Sequence, residues 1–282
     1  MSIGFIGAGN MAGAIIRGIV GSGYAPAARI LAYDPHAPTL DALVEQTGIV
    51  PVAGNPEVIA ADTTVVLAVK PQVIPRVMEE VAAQIVAARP LVISIAAGTP
   101  IQSLERWLGP EQPIVRAMPN VNAQVRQAVT AVAGNGATTP EQLATAKAIF
   151  TSVGEVVELD ESLFRAFAAL AGSSPAWTFL YIDALARGGV AAGMPKALAL
   201  QIAAKAVAGS AALLADGGAH PWELIDQVSS PAGTTIAGLT VLEEKGLSSA
   251  VLGAVAATMR REEMIARKNR PPRRPRNRPE IP

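Results

Sequence analysis

Apolar residues follow two rhythms along the chain, short unbroken runs in the first part and helical spacings in the second, so the pattern predicts two architectures in sequence. Ile3-Gly4-Phe5-Ile6 reads as a strand that runs into the glycine turn Gly7-Ala8-Gly9-Asn10-Met11-Ala12, and Ile15, Ile16, Ile19 and Val20 then repeat at helical spacing. Residues 30–33 form a second short run, closed by Asp34, followed by a predicted helix over 39–46 and a strand near 48–51. Asn55-Pro56-Glu57 predicts a further helix start, with asparagine as cap and proline in the first turn. The run 64–69 is continuously apolar after its threonine, the form of a central parallel strand buried on both faces, and Lys70-Pro71 ends it. A helix over 73–88, a strand over 91–95, the small-residue turn 96–99, a helix through 104–108 and a strand over 114–118 continue the alternation. Strands over 128–133 and 155–159, separated by a helix over 141–152, complete it. This order predicts a parallel, doubly wound α/β sheet with room for antiparallel edge strands.

Beyond Glu161 the strand signal stops, and helices are predicted over 162–170, 175–192, 195–215, 221–228, 233–244 and 248–266. The segments 175–192 and 195–215 are rich in alanine and glycine, which permits close helix packing but supplies little apolar bulk. Two such helical domains complete one core between them, so an interleaved homodimer, or a higher homo-oligomer, is expected. The Arg-Pro run from Arg270 opposes compaction through proline and like charge, and is expected to be disordered and dispensable.

Composition narrows the chemistry. Half of the 282 residues are hydrophobic, enough for a substantial core, and the formal net charge is zero. The stretch 268–282 carries six of the 23 basic residues and one of the 23 acidic ones, leaving 17 against 22 in the rest, a net charge of −5. An acidic body with a basic tail is no nucleic-acid footprint. Zero cysteines exclude disulfides, thiolate metal sites and a cysteine nucleophile, and two histidines, His36 and His220, exclude a multi-histidine metal site. With neither a signal peptide nor an apolar run free of breaks, a cytoplasmic protein with no membrane role is expected.

In the strand, turn and helix at the start of the chain, Gly7 permits the turn, Gly9 admits a phosphate to the backbone and Ala12 lets the helix sit close to the sheet. Amides at the helix start suit a pyrophosphate, and the acid closing the second strand suits ribose hydroxyls. A tight βα turn without ligand would need neither the second glycine nor Asp34. Lys70 stands at the carboxyl end of a strand, where open α/β sheets bind ligands, though position alone fits a solvated loop lysine as well.

The chain up to about Ala266 resembles the pyrroline-5-carboxylate reductase family. The resemblance rests on Gly4 to Met11, Ala68-Val69-Lys70-Pro71-Gln72, Ser94-Ile95-Ala96-Ala97-Gly98, Arg116-Ala117-Met118-Pro119-Asn120, Gly172-Ser173-Ser174-Pro175-Ala176 and Ser229-Ser230-Pro231-Ala232-Gly233-Thr234-Thr235. It implies an N-terminal Rossmann-like domain over 1–160, an all-α substrate and dimerisation domain over 161–267, and a tail over 268–282. It also implies reduction of the cyclic imine of 1-pyrroline-5-carboxylate to L-proline, in proline biosynthesis, by NADPH or NADH. Carried over, Ile6, Gly7, Ala8, Gly9, Asn10 and Met11 would hold the pyrophosphate. Asn55, Ala68, Val69, Lys70 and Pro71 would line the adenosine and ribose side, and Ala96, Ala97 and Gly98 would approach the nicotinamide. Asp34 argues for use of NADH. The resemblance further implies that Ser230, Ala232, Gly233 and Thr234 hold the substrate carboxylate through their backbone. The Thr235 hydroxyl would then reach the ring nitrogen, with Glu161 and Gln227 near the pocket. For Glu161 a helix-capping part, for Gln227 an exposed one and for Thr235 a helix cap are the structural alternatives. Departures from the family pattern are Val121-Asn122 after Met118-Pro119-Asn120, Ala232 in place of a glycine, and Trp177 in place of tyrosine.

Two other readings bear weighing. A hydroxyacid dehydrogenase of the same build needs a lysine with asparagine four residues on, whereas Lys205 is followed by Gly209. A non-catalytic dinucleotide sensor would have no use for the turn at 229–235. A protonated imine is already a strong electrophile, so hydride transfer to it needs positioning more than a strong side-chain acid, and the chain offers none.

Overall fold

The computed structural model describes residues 2–59 and 63–268. Its first part runs β1 (Ser2–Ile6), α1 (Asn10–Ser22), β2 (Ile30–Tyr33), α2 (Ala37–Thr47), β3 (Val50–Pro51), β4 (Thr63–Leu67), α3 (Ile74–Ala88) and β5 (Leu91–Ser94). There follow α4 (Ile101–Leu108), β6 (Ile114–Met118), β7 (Ala128–Gly134), α5 (Pro140–Thr151) and β8 (Gly154–Glu158). Among the described residues these strands form one eight-stranded sheet in the order β3-β2-β1-β4-β5-β6-β7-β8. The reversal between β1 and β4 makes a crevice at the carboxyl ends of the parallel strands. β7 pairs antiparallel with β6 because the segment between them holds only a 3₁₀ turn, Val121–Val125, which is too short for a crossover helix. β8 returns parallel to β7 through α5.

Side chains of β1 and β4 alternate between two cores, one on each face of the sheet. Ile3, Phe5 and Val66 pack with Ile15, Ile16 and Ile19 of α1 and Phe150 of α5. Ile6, Val65 and Leu67 pack on the other face with Val77, Met78 and Val81 of α3 and Leu104 of α4. The predicted helix at Asn55 is a single 3₁₀ turn, Asn55–Val58, with Gly54 rather than Asn55 in the cap position and no side-chain cap. Its backbone closes through i to i+3 bonds, and Val58 and Ile59 are already buried, so the turn is fixed by tertiary packing before a helix can propagate.

The helical part runs α6 (Phe164–Phe167), α7 (Ser174–Ala191), α8 (Lys196–Gly217), α9 (Pro221–Val228), α10 (Thr234–Glu244) and α11 (Leu247–Lys268). The helix expected over 162–170 is broken into a 3₁₀ turn, the one turn of α6 and a π-helical segment, Ala168–Ser173. Pro175 has no N–H to offer the Ala171 carbonyl four residues earlier, and Asn120 Nδ2 donates to that carbonyl at 3.0 Å instead. By its contacts the chain divides into one unit of Met1–Gly172 together with the chain from Met259, and a second of Ser173–Thr258. The second unit buries little beyond Ala186, Ala199 and Ala203, and leaves Leu180 and Leu252 each 71% exposed. One of its helices, α8, reaches the length and mean hydropathy, 1.6, of a membrane span, but Lys205 in its middle breaks the apolar run. The tail expected to be disordered lies outside the described residues apart from Lys268, which ends α11.

Candidate functional site

At the carboxyl edge of the sheet, Gly7 has φ at +99°, and a Cβ there would stand 2.8 Å from the Ala68 carbonyl oxygen. Glycine is thus required both by conformation and by the close approach of the turn after β1 to the one after β4. The Gly7 amide donates to the Tyr33 carbonyl, and the Ala68 amide to the Ile6 carbonyl, which ties three strand ends together. Gly9 occupies the cap of α1 with open space where a Cβ would lie. The Asn10 and Met11 amides have no acceptor among the described residues. That cradle fits a pyrophosphate, since unpaired amides at a helix start favour an anion.

Asp34 follows β2, and each of its carboxylate oxygens accepts one backbone amide: Ala8 at 2.8 Å and His36 at 2.9 Å. The Ala8 amide, grouped above with the pyrophosphate contacts, is therefore already committed to Asp34. Asn55 is buried and donates to Glu80 Oε2 at 2.8 Å. Val69 is partly buried, and exposed Lys70 precedes the 3₁₀ turn Pro71–Val73. After β5, Ala96 is buried and Gly98 takes φ of +66° in a turn closed by the Thr99 amide on the Ala96 carbonyl. These loops share one edge because β1, β2, β4 and β5 are parallel.

Glu161 belongs to the first unit, beyond the end of β8. Its Oε1 accepts from the Ile101 amide at 2.8 Å and from Arg116 Nη1 at 3.0 Å. Arg116 is 11% exposed and lies 4.6 Å over the Phe164 ring. The carboxylate thus caps α4 from a distance of sixty residues in sequence, which gives the helix-capping alternative a specific form. Spacing could not reveal Arg116 as its partner, because the two lie on separate elements.

In the second unit, α9 and α10 flank the turn at 229–233. His220 caps α9, its Nδ1 accepting from the Trp222 amide, which accounts for that histidine without chemistry. The turn closes through the Gly233 amide on the Ser230 carbonyl. Ala232 adopts φ of +56°, and a Cβ on Gly233 would stand 2.3 Å from Ser230 Oγ. Gly233 is the cap of α10 and offers no side-chain bond, so Thr234 and Thr235 begin the helix with unpaired amides among the described residues. Thr235 is not the cap, and its exposed hydroxyl has no protein partner among those residues. Gln227 is exposed, the last residue but one of α9.

Residues 161–265 match the family model described as pyrroline-5-carboxylate reductase dimerisation, and residues 2–98 match NADP oxidoreductase, coenzyme F420-dependent. Over 269 residues the chain is 44% identical to pyrroline-5-carboxylate reductase of Synechocystis, covering 95% of this chain and 99% of that relative. The chain belongs to the pyrroline-5-carboxylate reductase family. Among solved structures, the pyrroline-5-carboxylate reductase of Coxiella burnetii is 34% identical with a TM-score of 0.87, covering 94% of this chain and 98% of that one. The Plasmodium falciparum enzyme, solved with NADP bound, is 26% identical with a TM-score of 0.84 over the same shares. As members of this family do, the chain carries a nicotinamide-cofactor domain and a dimerisation domain.

Proposed function

We propose that the chain reduces 1-pyrroline-5-carboxylate to L-proline, with its cofactor held at the carboxyl edge of the sheet and its substrate held by the turn before α10. The observation that carries this reading is the Ser230 to Thr235 segment, where unpaired amides at a helix start stand beside a hydroxyl with no protein partner. The amides suit the substrate carboxylate, and the Thr235 hydroxyl suits the ring nitrogen. A nicotinamide supplies the hydride that adds to the imine carbon. The residues' part is placement: Gly9, Asn10 and Met11 hold the pyrophosphate, Ala68 to Pro71 line the adenosine and ribose side together with Asn55, and Ala96 to Gly98 meet the nicotinamide. Glu161 acts at one remove, fixing the start of α4 directly after that last loop. Gln227 borders the substrate turn.

Asp34 favours NADH, because a carboxylate accepts from ribose hydroxyls and repels a 2′-phosphate. NADH should be used at least as well as NADPH, and Asp34→Ser should shift the ratio of catalytic efficiencies towards NADPH; an unchanged ratio would remove Asp34 from cofactor choice. The second unit's exposed apolar side chains, α8 included, are assigned to a homodimer or larger homo-oligomer, in a cytoplasmic enzyme. The test of the reaction is the loss of reduced-cofactor absorbance when 1-pyrroline-5-carboxylate is added, with proline identified as product. Cofactor binding without such turnover would leave a dinucleotide sensor as the better reading.

A further inference from the structure

A crevice of about 330 Å³ opens between α1 and α2, bordered by Ala8 and Gly9 at one end and by Arg17, His36, Thr39 and Gln46 along the two helices. Arg17 folds back along its own helix: a Cβ on Gly13 would stand 3.2 Å from its Nη1, so glycine leaves the guanidinium room to lie there. Nη1 donates to Gln46 Oε1 at 3.3 Å, a neutral partner on α2. No carboxylate pairs with Arg17 among the described residues. Opposite, His36 Nδ1 and Thr39 Oγ1 lie 2.7 Å apart. The crevice lining leaves out Asp34, whose two oxygens face the Ala8 and His36 amides.

A guanidinium held only by a neutral amide, sharing a crevice with the pyrophosphate turn while both oxygens of the nearby acid are engaged by backbone amides, has the chemistry to take a second phosphate. Arginine presents several donors in a fixed fork that matches phosphate oxygens. We infer that Arg17 recognises the 2′-phosphate of NADPH, so that the chain accepts the phosphorylated cofactor in spite of Asp34. This rests on the dinucleotide reading given above and names a specificity residue within it. Hydrophobic periodicity alone marks Arg17 as a solvated helix position; the direction of its side chain gives it a function.

Calorimetric titration with NADPH, NADH and adenosine 2′,5′-bisphosphate tests the inference without relying on turnover. Arg17→Ala should weaken NADPH and the bisphosphate by about ten- to a hundredfold, as expected for hydrogen bonds to a charged group, and leave NADH nearly unchanged. Arg17→Lys should fall between, keeping the charge and losing the fork. Arg17 is exposed, so the variants should melt as the parent does. Equal weakening of NADPH and NADH would place the guanidinium on a moiety that both share, and no change in either would leave it solvated; each overturns the inference. A parent protein that binds NADH but neither phosphorylated probe also overturns it, with the dinucleotide reading intact. Failure to bind any of the three sinks that reading itself.

Discussion

Ala232 holds φ at +56°, where its Cβ crowds the backbone and glycine would not. Ala232→Gly should therefore raise stability by up to about 1 kcal/mol, the relief of strain exceeding the added freedom of the unfolded chain. Thermal melting checks it, and turnover should hold. Thr235 gives the converse case. Its hydroxyl has no protein partner among the described residues, so Thr235→Ala should leave the melting temperature in place. Catalytic efficiency should fall about ten- to a hundredfold, with the NAD(P)H dissociation constant unmoved. A lower melting point with normal efficiency would return Thr235 to a structural part. At this scale the glycine turn and Asp34 were legible, because backbone conformation and close approach restrict which residues fit. Arg17 and the Glu161–Arg116 pair were not, because the direction of a long side chain is set by neighbours distant in sequence.

Helix α7 is tied to α8 by Asp183, whose Oδ1 accepts from Lys196 Nζ at 2.5 Å and whose Oδ2 accepts from Arg187 Nε at 2.6 Å. The Lys196 hydrogen bond, then that of Arg187, holds the Asp183 carboxyl below its ordinary range. A carboxyl whose value is lowered by folding stabilises the fold above its unfolded value, and that contribution is lost as pH falls through the lowered folded value. Asp183→Asn should thus flatten the acid limb of melting temperature against pH, and superimposable limbs would show the clamp to be inert. Elements were legible where burial is two-sided: β4 is an apolar run because helices cover both its faces, and β6 falls at the expected 114–118. The Asn55 turn and the π segment before α7 were not. Both are fixed by long-range partners, burial of Val58 in one case and the Asn120 bond to Ala171 in the other.

At the scale of the whole molecule, the buried apolar contact of α7 with α8 is made of alanines, and larger apolar side chains such as Phe179, Leu180 and Leu213 remain exposed on them. The melting temperature should rise with protein concentration, as expected when partners bind only the folded chain. Sedimentation should show a dimer or larger species, and a monomer with a concentration-independent melt would refute the assignment. The alanine and glycine content of these helices made that shortage of bulk legible in the sequence. One consequence reaches beyond equilibrium. Because Asp34 grips the turn after β1 through the Ala8 amide, that turn is ordered before any cofactor arrives. The Ala8 amide proton should exchange slowly with solvent in the ligand-free protein. Encounter with the dinucleotide should be limited by diffusion and orientation rather than by rearrangement of a loop, giving one rapid binding phase without lag.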